Sequence, residues 1–333
     1  MTSLATRYLG LELAHPIVPG ASPLADDLDQ VLLLEDAGAP AIVMRSIFEE
    51  QIALEQMAAH RHLDVHAGPE ADGVFLDSNV FALGLDTYLE QLRRIRERTS
   101  LKVIGSLNGV TPGGWTDYAR RIEVAGAHAL ELNLYVVPAD ARLSASDLEE
   151  RQLATVREVA RAVSVPIAVK LSPYYSSLPH FVQAVEDAGA KGVVLFNRFY
   201  QADIDPVRLE AARTLHLSTP EELLLRLRWL AIVSPQTRLE LAASGGVHGP
   251  LDVVKAIMAG ARTVQVVSTL LRHGAQQLRV LVDGLEKFLD EEEYPSVEAM
   301  RGNMNHARSP DPGAYERSDY IQLLSSWHGR PQV

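Results

Sequence analysis

Short apolar runs alternate with longer amphipathic stretches from one end of the chain to the other. The runs are His15–Pro19, Ala41–Met44, Leu101–Gly105, Ala129–Asn133, Pro166–Leu171, Gly192–Asn197, Arg238–Ala243 and Thr263–Val267. Apolar and polar residues do not alternate cleanly within them, as expected of parallel strands covered on both faces. Between them, Asp86–Arg98 places Tyr88, Leu89, Leu92 and Ile95 on one helical face. Asp147–Val163, Pro179–Ala188, Pro220–Ile232, Pro250–Ala259 and Gly274–Leu289 follow the same period. Ser146, with Glu149 three residues later, reads as a capping box. Thr219-Pro220-Glu221-Glu222 supplies an N-cap, a proline at the first helical position and an acidic first turn. Asp36–Ala39, Val124–Ala127, Asp187–Ala190 and Met258–Ala261 share the form x-Ala-Gly-Ala, each predicting a helix that closes on glycine just before the next strand.

Eight strands, each followed by a helix or a long excursion, predict a (β/α)8 TIM barrel of the α/β class. A doubly wound sheet calls for a G-x-G-x-x-G turn after its first strand, and Gly20-Ala-Ser-Pro does not supply it. Residues 1–333 therefore read as a single domain, with 290–333 as a C-terminal helix and extended tail. Two excursions, Phe48–Asn79 and Phe199–Thr219, are long enough to be expected on the C-terminal face of the barrel, where such folds place their sites.

Composition narrows the chemistry. None of the 333 residues is cysteine, which removes disulfides, thiolate nucleophiles, zinc–thiolate sites and cysteine-ligated clusters. With 43 acidic against 31 basic residues the formal charge is −12, so no nucleic-acid partner is expected. No apolar run approaches the ~20 residues of a membrane span, and the N-terminus lacks a signal-peptide layout. No membrane partner and a cytoplasmic location are expected. Lysine is scarce, at positions 102, 170, 191, 255 and 287 only, so Lys170 at a strand end stands out.

In a barrel, the polar residues at strand C-termini carry the chemistry. Here they are Asn133, Lys170, Asn197 with Arg198, Ser244-Gly245-Gly246 and Ser268-Thr269. Small residues after the seventh and eighth strands leave backbone N–H groups open to a phosphate. Alternation points Lys170 into the barrel mouth, where a bare ammonium is costly, so it is expected to face an anion or an electron-rich ring. Asn133 and Asn197 offer both donor and acceptor to the imide edge of a flat heterocycle. His60, His62 and His66 have a spacing that suits no single metal face, and Asp203 with Asp205 reads as a charged loop, so no metal is expected.

Taken in order, these residues and their neighbours resemble the dihydroorotate dehydrogenase family, FMN-containing barrels of pyrimidine synthesis. The resemblance runs over nearly the whole chain, through Leu9-Gly10-Leu-Glu-Leu-Ala-His-Pro-Ile, Gly20-Ala-Ser and Gly84-Leu-Asp-Thr-Tyr-Leu. It continues through Glu131-Leu-Asn-Leu, Ala168-Val-Lys-Leu-Ser-Pro-Tyr, Ala243-Ser-Gly-Gly-Val and Gln265-Val-Val-Ser-Thr-Leu. It implies bound FMN, with Ala21 and Ser22 as backbone contacts and Arg45-Ser46 standing where the family has Lys-Ser. It further implies Asn108 and Asn133 as flavin contacts and Lys170 near the flavin N1/O2 edge. Ser218 falls where the family has a small residue, and Gly245, Gly246, Ser268 and Thr269 resemble the phosphate cradle. Asn79, Asn133, Asn197 and Arg198 are the expected substrate contacts.

The departures concern the substrate half. In the family the Asn133 motif continues to a Cys or Ser that takes the C5 proton while hydride leaves C6 for flavin N5. Here Asn133-Leu-Tyr-Val-Val-Pro offers Val136 or Val137, and valine accepts no proton. The substrate loop is replaced by Ser78-Asn-Val-Phe-Ala-Leu, with only Asn79 retained and out of register. Tyr135 or Tyr174 is the candidate acid/base, and Tyr135 with Lys170 the expected catalytic pair. A cysteine or serine placed at Val136 is expected to restore proton abstraction. The expected function is FMN-dependent redox chemistry at a CH–CH bond of a small planar, pyrimidine-like substrate. The alternative is a flavin-binding electron-transfer protein without dihydroorotate activity. FAD is not expected, because no dinucleotide turn exists for its adenosine half. Reduction of tRNA uridines is disfavoured by the acidic charge. The electron acceptor and a homodimer are left open.

Overall fold

A run of eight parallel strands carries the fold in this computed structural model, which describes residues 2–49, 84–108, 112–198, 201–212, 214–317 and 319–326. The chain begins with a hairpin, β1 (Thr6–Tyr8) and β2 (Leu11–Leu13), whose turn residues Leu9 and Gly10 both have positive φ. Then come β3 (Ile17–Pro19), α1 (Leu28–Asp36), β4 (Ala41–Val43), the short β5 (Ile47–Phe48), α2 (Leu85–Arg98), β6 (Lys102–Asn108) and α3 (Pro112–Val124). The middle of the chain gives β7 (Ala129–Asn133), α4 (Ala145–Ala162), β8 (Ile167–Leu171), α5 (Leu178–Asp187) and β9 (Gly192–Leu195). A hairpin of β10 (Asp203–Asp205) and β11 (Glu210–Ala212) precedes α6 (Leu223–Val233), β12 (Glu240–Ser244), α7 (Pro250–Ala259) and β13 (Thr263–Val266). The order of hydrogen-bonded neighbours is β3-β13-β12-β9-β8-β7-β6-β4, all parallel, and the run curves into a nearly closed (β/α)8 barrel. β5 extends the pairing of β6 at its far end.

Strand parity explains both the continuous apolar runs and the position of the polar residues. Outward-facing Leu130, Leu132, Val169, Leu171, Val193, Leu241 and Val264 pack with the helices in one large core. Inward-facing Val18, Val43, Ile104, Ala129, Ala168, Val194 and Ala242 form a second, smaller core inside the barrel. Alanine recurs there because a closed eight-stranded barrel leaves little room at its axis. Tyr8, Leu9 and Leu13 from the β1–β2 hairpin join that inner core. Two residues further along β6, β7, β8 and β12 the inward position turns polar, as Ser106, Glu131 (followed by Asn133), Lys170 and Ser244, and Gln265 is the polar position on β13. The register sets Asn133 beside Lys170 and Ser244 beside Gln265.

The four x-Ala-Gly-Ala segments end α1, α3, α5 and α7 in the same way. Gly38, Gly126, Gly189 and Gly260 have φ of +98°, +104°, +106° and +123°. The N–H of the alanine after each glycine bonds five residues back, Ala39 to Leu34 and Ala261 to Ala256 among them, the Schellman arrangement. Each strand then starts three residues after its glycine, so a local stop signal sets where the barrel strand begins.

Two expectations are corrected. The cap of α4 is Ser144, not Ser146: its Oγ accepts the Asp147 N–H at 3.1 Å, so the helix begins two residues earlier than the Ser146/Glu149 pair predicts. The predicted helix from Gly274 starts later, because Gly274 adopts φ +78° and separates α8 (Ser268–His273) from α9 (Gln277–Glu291). At Thr219 the expectation holds, with the Thr219 N–H donating to Glu222 Oε1 at 3.3 Å ahead of a 3₁₀ turn over Pro220–Glu222. The C-terminal segment contains α10 (Val297–Met300), a 3₁₀ turn at Pro312–Tyr315 and α11 (Asp319–Ser325). It is tied down by N–H groups of Gly302, Met304 and His306 donating to carbonyls of Ile257, Met258 and Ala231. No helix among the described residues is long and apolar enough to cross a membrane.

Candidate active site

A cavity of about 480 Å³ opens at the C-terminal ends of the barrel strands, within the range of small-molecule and cofactor sites. It gathers most of the residues singled out in the sequence: Ala21, Ser22, Arg45, Ser46, Asn133, Tyr135, Lys170, Asn197, Arg198, Ser218, Gly245, Gly246 and Ser268. Asn108 and Thr269 are buried but do not line it. Asn79 and the three histidines at 60, 62 and 66 lie outside the described residues.

At the deep end, Lys170 and Glu131 are nearly enclosed, at 7% and 1% exposure. Lys170 Nζ lies 3.1 Å from Glu131 Oε1 and donates at 3.1 Å to Gln265 Oε1, while Gln265 Nε2 donates to Glu131 Oε2 at 2.5 Å. The anion expected opposite Lys170 is thus built into the protein. An ammonium carries three donors, and among the described residues two have partners, which leaves the third for whatever fills the cavity. Glu131 and Gln265 were missed as functional residues, although a signal existed. A carboxylate at an inward strand position of an apolar run needs a counter-charge, and Lys170 on the neighbouring strand has the same parity.

Asn133 and Asn197 form the next layer, with Asn197 Nδ2 donating to Asn133 Oδ1. Ser46 Oγ stands 2.6 Å from Ser106 Oγ, below which the buried Tyr88 hydroxyl accepts the Ser106 N–H at 2.9 Å. Arg45 is engaged by Asp26 at 2.8 Å. Arg198 is held away from a bare-cation role by the His216 carbonyl and by Glu222 at 3.3 Å. Phe196, Leu217, Val247, Val267 and Leu271 supply the apolar walls between the two polar ends. Phe196 and Leu217 flank the β10–β11 hairpin, Val247 follows β12, Val267 follows β13 and Leu271 lies on the next helix, so no local sequence signal marks them as a set.

At the opposite end lies a cradle of small groups. The Ser218 N–H donates to Ser268 Oγ at 3.0 Å, and the Gly246 N–H to Ser218 Oγ at 3.4 Å. Gly245 and Gly246 have φ of +95° and +81°. A Cβ on Gly246 would lie 2.3 Å from the Leu223 backbone nitrogen, so only glycine lets the β12 turn reach the start of α6. Gly246→Ala is expected to cost at least about 1 kcal/mol in chemical denaturation; an unchanged midpoint would remove this packing argument. Substitution there reads out folding, and Ser268 is the better place to test the cradle.

Tyr135 lines the cavity, whereas Tyr174 is 66% exposed and lies on two neighbouring hollows. Val136 and Val137, 40% and 65% exposed, line a separate cavity of about 530 Å³ between the β7–α4 and β8–α5 connections. Val136 is thus among the residues of that neighbouring cavity and not of the one lined by Lys170 and Tyr135, which sets this geometry against the expectation that a base at Val136 would act on the substrate. Asp203 and Asp205 serve the β10–β11 turn, the latter accepting the Val207 and Arg208 N–H groups. No group of three metal-binding side chains occurs among the described residues.

The sequence model of the dihydroorotate dehydrogenase family matches residues 70–289 of this chain. Similar proteins include the putative dihydroorotate dehydrogenase A (fumarate) of Aeropyrum pernix, 27% identical over 91% of this chain and 98% of its own length. The dihydroorotate dehydrogenase B (NAD(+)) catalytic subunit of Thermoplasma acidophilum is 28% identical over 91% and 99%. The corresponding subunit of Cutibacterium acnes is 27% identical over 92% and 100%.

Proposed function

Since the chain belongs to the dihydroorotate dehydrogenase family, we propose that it is an FMN-dependent oxidoreductase acting on the CH–CH bond of a dihydroorotate-like, planar pyrimidine. The observation that carries this reading is the convergence of Lys170, Asn133 and Asn197 at one end of a single cavity with the Ser218–Gly246–Ser268 cradle at the other. That donor set fits FMN. Small neutral groups whose hydroxyls and backbone N–H groups line the wall suit a terminal phosphate, the apolar walls suit a flat ring system, and the amides and ammonium suit its pyrimidine edge. When bound, the flavin would supply the hydride acceptor.

The chain's own residues do the rest. Lys170, fixed by Glu131 and Gln265, holds positive charge against the ring's polar edge. Asn133 and Asn197, already bonded to each other, orient a planar substrate by donor and acceptor together. Tyr135 is the acid/base. In the dehydrogenation direction its oxygen would accept the proton that leaves carbon as hydride is taken by the flavin, and in the reverse direction the phenol would return it. Glu222 and the His216 carbonyl immobilise Arg198 at the substrate end of the wall. The small-molecule substrate fits the enclosed cavity, and the reading as an electron carrier without an organic substrate is not favoured by relatives that are named as dehydrogenases.

The test starts from the visible spectrum of the purified protein and the mass of its released flavin, expected to be FMN and not FAD. Anaerobic addition of dihydroorotate should bleach the oxidised-flavin absorption; a persistent spectrum would exclude that substrate. Ser268→Glu places a carboxylate in the cradle and is expected to empty it of flavin while the chain stays folded. Full flavin content in that variant would put the phosphate elsewhere.

A further inference from the structure

We infer that His248 is the protonation-linked element of the phosphate cradle: through the Ser218 hydroxyl it takes up a proton when a phosphomonoester dianion binds, so that cofactor affinity falls as pH rises. This rests on the cofactor reading above and adds a residue that neither the barrel pattern nor the family resemblance singled out.

His248 Nε2 lies 3.2 Å from Ser218 Oγ. The same Oγ accepts the Gly246 N–H at 3.4 Å, and Ser218 is buried on the cavity wall. A hydroxyl has one proton and two lone pairs. With an anion in the cradle the Ser218 proton goes to the anion and Gly246 occupies one lone pair. The imidazole must then donate into the other. The neutral Nε2–H tautomer and the protonated ring both donate in that direction, and only the protonated ring also adds a positive charge beside the anion.

The cradle needs that charge. Its wall residues Ser218, Gly245, Gly246, Val247 and Ser268 are all uncharged. Arg226 is buried close to Gly245, yet its guanidinium donates to the Ser244 carbonyl at 3.0 Å and the Glu222 carbonyl at 2.7 Å. The charged groups facing His248 are Arg272 and His273 on α8, Asp252 on α7 and Glu221 on the 3₁₀ turn before α6. Burial first, then Arg272, hold the His248 pKa below the ordinary histidine value, with His273 adding to them, while Asp252 and a hydrogen bond to the Ser218 backbone pull it up. The ring is therefore neutral at pH 7 until a dianion on Ser218 reverses the balance. Because the bound state has the higher pKa, the added affinity is complete at low pH and is lost as pH rises through the bound-state value.

The experiment titrates the full-length protein, stripped of flavin by dialysis, with FMN and with riboflavin between pH 7 and 9. A free phosphomonoester has its second pKa near 6, so it is largely dianionic throughout this window. Calorimetry in buffers of different ionisation enthalpy counts the protons. FMN affinity is expected to fall by up to about threefold across the window, the effect of a bound-state pKa raised by about one unit from a value below that of ordinary histidine, with net proton uptake at pH 7. Riboflavin, which lacks the phosphate, should show neither effect. His248→Gln should remove the slope, and Ser218→Ala, which breaks the link while keeping the histidine, should flatten it too. A level FMN affinity in the wild type, or an unchanged slope in His248→Gln, overturns the inference and leaves the cofactor reading standing. Failure of both flavins to bind overturns the cofactor reading itself, and this inference with it.

Discussion

Lys170→Ala is expected to destabilise the protein by about 3–5 kcal/mol, because it strands the Glu131 carboxylate inside the barrel without its counter-charge. Gln265 still donates to Glu131, yet an amide does not replace an ammonium at 3.1 Å. Urea denaturation of the purified variant measures the loss, and a change below about 1 kcal/mol would mean that the pair is solvated in solution. The same pair sets a sign test on the bound flavin. Removing Lys170 leaves a net negative charge beside the ring and should lower its midpoint potential, whereas Glu131→Gln leaves a net positive charge and should raise it. Shifts in one direction for both variants would refute the placement of Lys170 at the ring edge. Glu131→Gln combined with Lys170→Met removes both charges and is expected to recover most of the stability lost in Lys170→Ala.

Tyr135→Phe is expected to lower turnover of the CH–CH substrate by roughly 10²–10⁴, the range of a general acid/base, with flavin content unchanged. Position singles out this residue. Of the residues that replace the family's proton-accepting segment, Val136 and Val137 line the neighbouring cavity, while Tyr135 lines the site. Single-turnover reduction followed by flavin absorption separates this step from cofactor loss. A phenylalanine variant with wild-type rates would take the proton away from Tyr135. Val136→Cys is the paired control, expected to bring no gain because Val136 lines the neighbouring cavity.

Much of the fold was legible because barrel strands and helix stops are local. The four glycines at positions 38, 126, 189 and 260 announce their own conformation, since left-handed φ at a helix end is a single-residue property. Runs such as Ala129–Asn133 and Pro166–Leu171 are apolar on both faces because each strand is sandwiched between the inner and outer cores. Ser146 misled because a capping box is a pattern of residue types, and Ser144 with Asp147 satisfies the same chemistry two residues earlier. Lys170 stood out through its scarcity and strand parity, and its destination inside the barrel mouth followed from both.

What the chain alone determined, then, is a set of polar residues at strand ends, of which Asn133, Lys170 and Ser244 share the inward parity and so face one barrel mouth. Only the tertiary structure decided their partners. Glu131 lies 39 residues and Gln265 95 residues from Lys170, and no local pattern couples residues so far apart. The same holds for His248, which reaches Ser218 from 30 residues away. It holds as well for Val136, which lines a cavity shared with Tyr175 and Ser176, about 40 residues further along the chain. Backbone propensity and parity act over a few residues and are written in the sequence. The pairing of buried charges and the direction a loop side chain faces are settled only when the barrel closes and the cost of an unpartnered polar group has to be met across it.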